Sequence, residues 1–193
     1  MSDYEYESFS ELNNRLKQND LNLKLICVGG FVMHCFGMGT TVAIDALYEE
    51  TQEIREAIKD TGDHLNINLK DEMWLNNSVQ NMNRIPPESI CETIYDFSNL
   101  KVLIPPLEYI AGMKLSGARE QDIQDVAGII RMKSIDSPET LLKILDGYGF
   151  KSPDESLVLE SFGLAYGMDW LEKYYIENEE EINNRIRNSI SNS

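Results

Sequence analysis

The chain has 193 residues, 42% of them hydrophobic, and a formal net charge of −16. That length supports one well-packed core with a small appended subdomain, and no apolar run reaches a membrane span, because Lys24, His34 and Asp45 interrupt the longest ones. Nucleic-acid binding by counterion release needs clustered lysine and arginine, and the 17 basic residues here are dispersed. Non-specific nucleic-acid binding is therefore disfavoured, while a solvated surface or a basic protein partner fits the charge.

The acidic start, MSDYEYESFSEL, lacks the basic and apolar segments of a signal peptide, so a cytoplasmic location is expected. Cys27, Cys35 and Cys91 form no CxxC and no Cys/His cluster; they read as reduced packing thiols.

Ser8–Gln18 opens on Ser/Glu capping candidates and carries Phe9, Leu12 and Leu16 at helical spacing. LNLKLICVGG reads as a strand entering a sheet interior. FVMHCFG is a short helix ended by Gly37, and TTVAIDALY a second strand. TQEIREAIKDTGDHL is a helix with Ile54, Ala57 and Ile58 on one side, and Glu72–Met82 a further short helix. CETIYDFSNLKVLIPP gives two strands joined through Asp96–Asn99. LEYIAGMKLSGAR, QDIQDVAGIIRMK and SPETLLKILDGYG are three helices, the last with Pro138 in its first turn. The rest is mostly helical, and its ENEEE run is a solvated face. The expected fold is α/β: a small mixed sheet over residues 1–105, then a helical subdomain over 106–193.

Residues 28–47, VGGFVMHCFGMGTTVAIDAL, carry the chemistry. A glycine pair at a strand-to-helix turn lets backbone N–H groups approach phosphates, aided by the helix dipole. A strand alternates faces, so positions 43 and 45 share one. Two carboxylates so placed chelate Mg²⁺ together with substrate phosphates, and two such ions serve phosphoryl or nucleotidyl transfer. Here the positions hold Ala43 and Asp45.

This stretch resembles the nucleotidyltransferase superfamily with its polymerase-β-like fold, and is most similar to AbiEii-type and related bacterial nucleotidyltransferase-like proteins. Their pattern is a Gly-Gly strand end, a short helix, then T-T-x-D-[ILV]-D-A. Gly29 and Gly30 match the glycines, Thr40 and Thr41 the threonines, and Ile44, Asp45 and Ala46 the signature's end; the first aspartate falls on Ala43. A later block, YIAGMKLSGAREQDIQDVAGI, supplies Lys114, Arg119, Asp122 and Asp125 in family order. The resemblance implies nucleotide binding by Gly29, Gly30, Thr40, Thr41, Lys114 and Arg119, catalytic roles for Asp45, Lys114, Asp122 and Asp125, and Mg²⁺ on Asp45. Glu49, Glu50 and Asp96 are candidates to replace the missing carboxylate, with Asp96 preferred as a second metal ligand.

The implied activity is transfer of NMP from an NTP to an RNA or protein acceptor. Loss of the first aspartate argues for weak or absent turnover. The alternative is a non-catalytic binding module, or a toxin–antitoxin or defence component acting through a protein partner. Structural readings stay open residue by residue. Gly29–Gly30 can be a tight turn, Asp45 a strand-end or capping carboxylate, Lys114 a snorkelling side chain and Asp122 a helix cap. His34 and His64 stand alone and read as non-ligands; Trp74 and Trp170 read as packing residues.

Overall fold

The computed structural model describes residues 3–41, 43–70, 72–77, 85–117 and 119–191. The chain divides into two compact units, Met1–Pro106 and Leu107–Ser193.

The first unit holds α1 (Asp3–Gln18), β1 (Leu23–Val28), α2 (Gly30–Cys35), β2 (Ile44–Leu47), α3 (Gln52–Leu65), β3 (Leu75–Asn76), β4 (Glu92–Asp96) and β5 (Leu100–Ile104). Its five-stranded sheet has the order β3-β2-β1-β5-β4. β1 pairs parallel with β5 and antiparallel with β2; β2 pairs parallel with β3, and β4 antiparallel with β5. This is a small mixed sheet, as the sequence implied.

Alternation sorts the side chains onto two faces. Leu23, Leu25 and Cys27 share one with Leu100 and Val102, all buried. Tyr95, in register with Val102, puts its ring on that face against Phe9 of α1, 5.4 Å between centroids. Phe9 also meets Phe31 of α2 and Trp74, so one aromatic cluster joins α1, α2 and the sheet. Lys24, Ile26, Val28, Asp45, Leu47 and Lys101 point the other way. Asn99 fixes the β4–β5 turn: its N–H donates to Asn13 Oδ1 and its Nδ2 to the Leu21 carbonyl, both at 2.9 Å.

Three expectations are corrected. α1 begins five residues before Ser8, whose hydroxyl donates to the Tyr4 carbonyl inside the helix instead of capping it. The second strand is Ile44–Leu47 and not the whole of 40–48. The Thr41 hydroxyl donates to the Ala43 carbonyl at 2.6 Å, a local bond that competes with ladder pairing. The helix expected over Glu72–Met82 is absent from 72–77, which contain β3; residues 78–82 lie outside the described residues. Pairing of Ile44 with Leu75 and Asp45 with Asn76 overrides local spacing there.

The second unit contains α4 (Leu107–Gly117), α5 (Glu120–Met132), α6 (Pro138–Gly147), α7 (Glu155–Tyr166) and α8 (Met168–Ser191). α4 is apolar nearly all round and buries Leu107, Tyr109, Ile110, Ala111, Met113 and Leu115, as expected of a helix at the centre of a bundle. α6 starts where the sequence predicted, with Pro138 in its first turn and the Ser137 hydroxyl accepting from the Thr140 N–H. Arg185 ties three helices together through Glu139 on α6 (3.1 Å), Glu155 on α7 (2.8 Å) and Glu181 on its own helix (2.9 Å). Among the described residues, no helix is long and apolar enough to cross a membrane.

Candidate functional site

β1 runs through the middle of the sheet and ends at Val28, opposite Asp45 of β2. The chain then turns at Gly29 with φ 63° and ψ −138°, a conformation that only glycine adopts without strain. A Cβ on Gly29 would lie 3.4 Å from Asp45 Oδ2, and one on Gly30 would lie 3.5 Å from Thr41 Oγ1. The structure thus brings Gly29, Gly30, Thr41 and Asp45 into one corner at the head of β1. Thr40 is exposed on the loop beside it. α2 has only six residues, so its dipole is small, and any anion binding here would fall to backbone N–H groups of the glycine turn.

Beneath the corner, burial pushes the Cys27 thiol up, and the charges of Cys35 and Asp45 push it further. Burial likewise drives Cys35 and Cys91 up to about 11. None of the three is a thiolate nucleophile at neutral pH.

Sequence reasoning missed Asn76. It stands in register beside Asp45 on β3, 8% exposed, and its Nδ2 donates to Glu72 Oε1 at 2.9 Å. A two-residue strand carries too little periodicity to be read from sequence.

Asp96 is not brought to Asp45. It pairs with Lys101, and Lys101 with Lys24 at the start of β1, whereas Asp45 pairs with Val28 at its end. Four residues along the strand and three strands across put them about 19 Å apart, too far to share an ion. Asp96 instead lines a cavity of about 1130 Å³ at the other end of the sheet, with Lys24, Ile26, Leu47, Tyr48 and Lys101. Glu49 and Glu50 are exposed beyond the far end of β2, and Glu50 faces Arg55 at 3.5 Å. Among the described residues, no group of three or more His, Cys, Asp and Glu could hold a metal ion. The donor set at the corner, one carboxylate beside a neutral amide, does not fit a two-ion centre. A lone Mg²⁺ needs only one or two carboxylates, since it keeps water and phosphate ligands.

The later block forms its own cluster in the second unit. The Lys114 ammonium donates to Asp125 Oδ2 at 2.6 Å and Asp122 Oδ1 at 3.2 Å. Arg119 donates through Nε to Asp122 Oδ2 at 2.8 Å and through Nη2 to Oδ1 at 3.3 Å. Two cations face two anions, so the group is neutral. The Lys114 side chain is 11% exposed and that of Asp122 3%, while that of Arg119 is 81% exposed. Burial pushes the Asp122 carboxyl up, but the hydrogen bonds from Arg119 and Lys114 outweigh it and hold it below the usual aspartate value. Asp122 binds these side chains and is not a helix cap; Gly117 leaves it room, since a Cβ there would sit 3.1 Å from Oδ2. Lys114 does not snorkel into solvent.

A mixed sheet whose central strand ends in a glycine pair facing a neighbouring aspartate, followed by a helical unit, is the layout of a nucleotidyltransferase-like protein. The family comparison is in the same terms: the chain belongs to the family described as Nucleotidyltransferase of unknown function (DUF6036), whose model matches residues 6–166. Comparison with curated proteins and with solved structures found no match.

Proposed function

We propose that this cytoplasmic protein binds an NTP at the Gly29–Gly30 corner and that its capacity to transfer NMP is weak or lost. The approach of Gly29 to within a Cβ contact of Asp45 carries this reading, because it sets a turn whose backbone no side chain covers beside a carboxylate. Family membership supports it. Asp45 would be the protein's carboxylate for a Mg²⁺ that arrives with the triphosphate, with Thr40 and Thr41 beside the phosphates. In full turnover, an acceptor hydroxyl on RNA or protein would lose its proton to solvent as its oxygen attacks the α-phosphorus and the bond to pyrophosphate breaks. Ala43 in place of the first aspartate removes a ligand for the second ion, and loss of such a group costs several kcal/mol of transition-state stabilisation.

The second reading is a non-catalytic module of AbiEii-like descent, in a toxin–antitoxin or defence system, acting through a protein partner. The single carboxylate at the corner and the net charge of −16 favour it. Lys114 and Arg119 contribute to a nucleotide site only if an anion can compete with Asp122 and Asp125 for their charge.

The test is the thermal midpoint with and without each NTP plus Mg²⁺, for the natural protein and for Ala43→Asp. Ligand at 100 times its Kd adds about 2.7 kcal/mol, or about 5–10 °C for a chain of this size. A shift in the natural protein supports the nucleotide reading, and a larger one with labelled transfer in Ala43→Asp supports lost catalysis. No shift in either protein would overturn nucleotide binding.

A further inference from the structure

We infer that His34, in its doubly protonated form, is a positioning residue that clamps the loop of the candidate site to α1 through Glu5. His34 lies at the end of α2, its side chain 29% exposed. Its Nε2 is 2.6 Å from Glu5 Oε1, and its Nδ1 is 3.1 Å from the Gly39 carbonyl oxygen. A carbonyl oxygen only accepts, so Nδ1 carries a proton; an ionised carboxylate only accepts, so Nε2 carries the other. With Glu5 ionised, imidazolium is the form of the ring that makes both contacts at once. Glu5 is 7% exposed, so its end of the clamp sits in a site where an unpaired charge is costly.

The clamped loop has little packing of its own. Gly37 and Gly39 have φ of 74° and 78°, and a Cβ at either would meet nothing within 4 Å. Two backbone bonds hold its start, Gly37 N–H to the His34 carbonyl and Met38 N–H to the Met33 carbonyl, both 2.9 Å. The loop then leads to Thr40 and to Thr41, which stands beside Gly30. Anchoring Gly39 therefore sets where the two threonines start.

The groups that share this neighbourhood are Glu5 and Tyr6 on α1, Cys35 on α2 and Tyr95 on β4; Tyr6 packs edge-on to Tyr95. Burial drives Cys35 up to about 11 and raises Tyr95, with the charge of Glu5 adding to both. Cys35 and Tyr95 therefore keep their protons at neutral pH, and imidazole is the side chain whose charge ordinarily changes between about pH 5 and 8. When imidazolium loses a proton, the remaining N–H stays with the carboxylate and the bond to Gly39 is lost. The clamp is therefore complete while the ring carries both protons and open at Gly39 once it carries one. Its consequence for ligand affinity rests on the nucleotide reading; the clamp itself does not.

The experiment is nitrogen NMR of the His34 ring in the full chain, with amide-exchange protection at Gly37 and Met38 at about pH 6 and about pH 8. The expected result is a ring protonated on both nitrogens at the lower pH and a roughly fivefold loss of protection at the higher one, the worth of one hydrogen bond. His34→Gln and Glu5→Gln should abolish the pH dependence while Leu25 and Val102, in the central strands, keep their protection. A ring with one bare nitrogen at the lower pH would overturn the clamp, and so would equal pH dependence in His34→Gln. A protein that binds no NTP yet passes both measurements would sink the nucleotide reading and leave the clamp standing.

Discussion

Replacing Lys114 by methionine separates a strut from a phosphate ligand. The ammonium is nearly enclosed and joins α4 to α5 through Asp122 and Asp125. Methionine keeps most of the side-chain volume and removes the charge, leaving Asp122 with Arg119, whose side chain is 81% exposed and therefore screened. Breaking one partner out of a buried pair costs about 3–5 kcal/mol. Asp125 is 24% exposed and partly rehydrates, so about 3 kcal/mol is expected in total. The pH dependence follows from Asp122. Its carboxyl is held below the ordinary value of 3.8, so its stabilisation is present above that value and is lost as pH falls through the folded value. Lys114→Met removes one of the donors that depress it. The gap between natural protein and variant should thus be widest at neutral pH and narrow at about pH 3.5. Urea denaturation followed by far-UV circular dichroism, which weights the helical second unit, measures both. A loss under about 1 kcal/mol, equal at the two pH values, would refute the argument. It would mean that the ammonium is not committed to the aspartates and is available to a nucleotide.

Two further outcomes are expected. Gly112→Ala places a Cβ 2.5 Å from Phe150 Cδ2, so the bundle must shift and lose about 1–3 kcal/mol; a thermal midpoint equal to that of the natural protein would show that Phe150 swings away freely. Gly29→Ala forces a non-glycine residue to φ 63° against Asp45, costing about 1–3 kcal/mol of stability, and should also reduce any NTP-dependent midpoint shift, whereas an unchanged shift would remove the corner from the binding site.

Much of the fold was legible because it is local. The alternating run into Gly29, the β4–β5 pair around Asp96–Asn99 and the three helices from Leu107 each carry their own period and punctuation. The lysine–aspartate cluster was legible as an order of residues, though not as a neutral ion-pair group, because burial and pairing are tertiary facts. Strand order was not legible. Asp96 looked like a partner for Asp45 because both sit in strands, but β1 and β5 separate β2 from β4. β3 was hidden because two residues paired with β2 leave no pattern. His34 looked isolated because its partner, Glu5, lies 29 positions earlier on another helix, and no local spacing encodes that meeting.

The sheet also has a consequence for how the protein behaves when concentrated. Among the described residues its two outer strands are β3 and β4. β3 is two residues long, too short to template a strand from another chain. β4 carries exposed Glu92 and Asp96 at its ends, and its register shifts between Thr93 and Tyr95. Short, charged and irregular edges resist edge-to-edge stacking. With a net charge of −16 keeping copies apart, such a sheet gives amyloid-type growth little to start from, and the chain should stay dispersed at concentrations where a flat, apolar-edged sheet would form fibres.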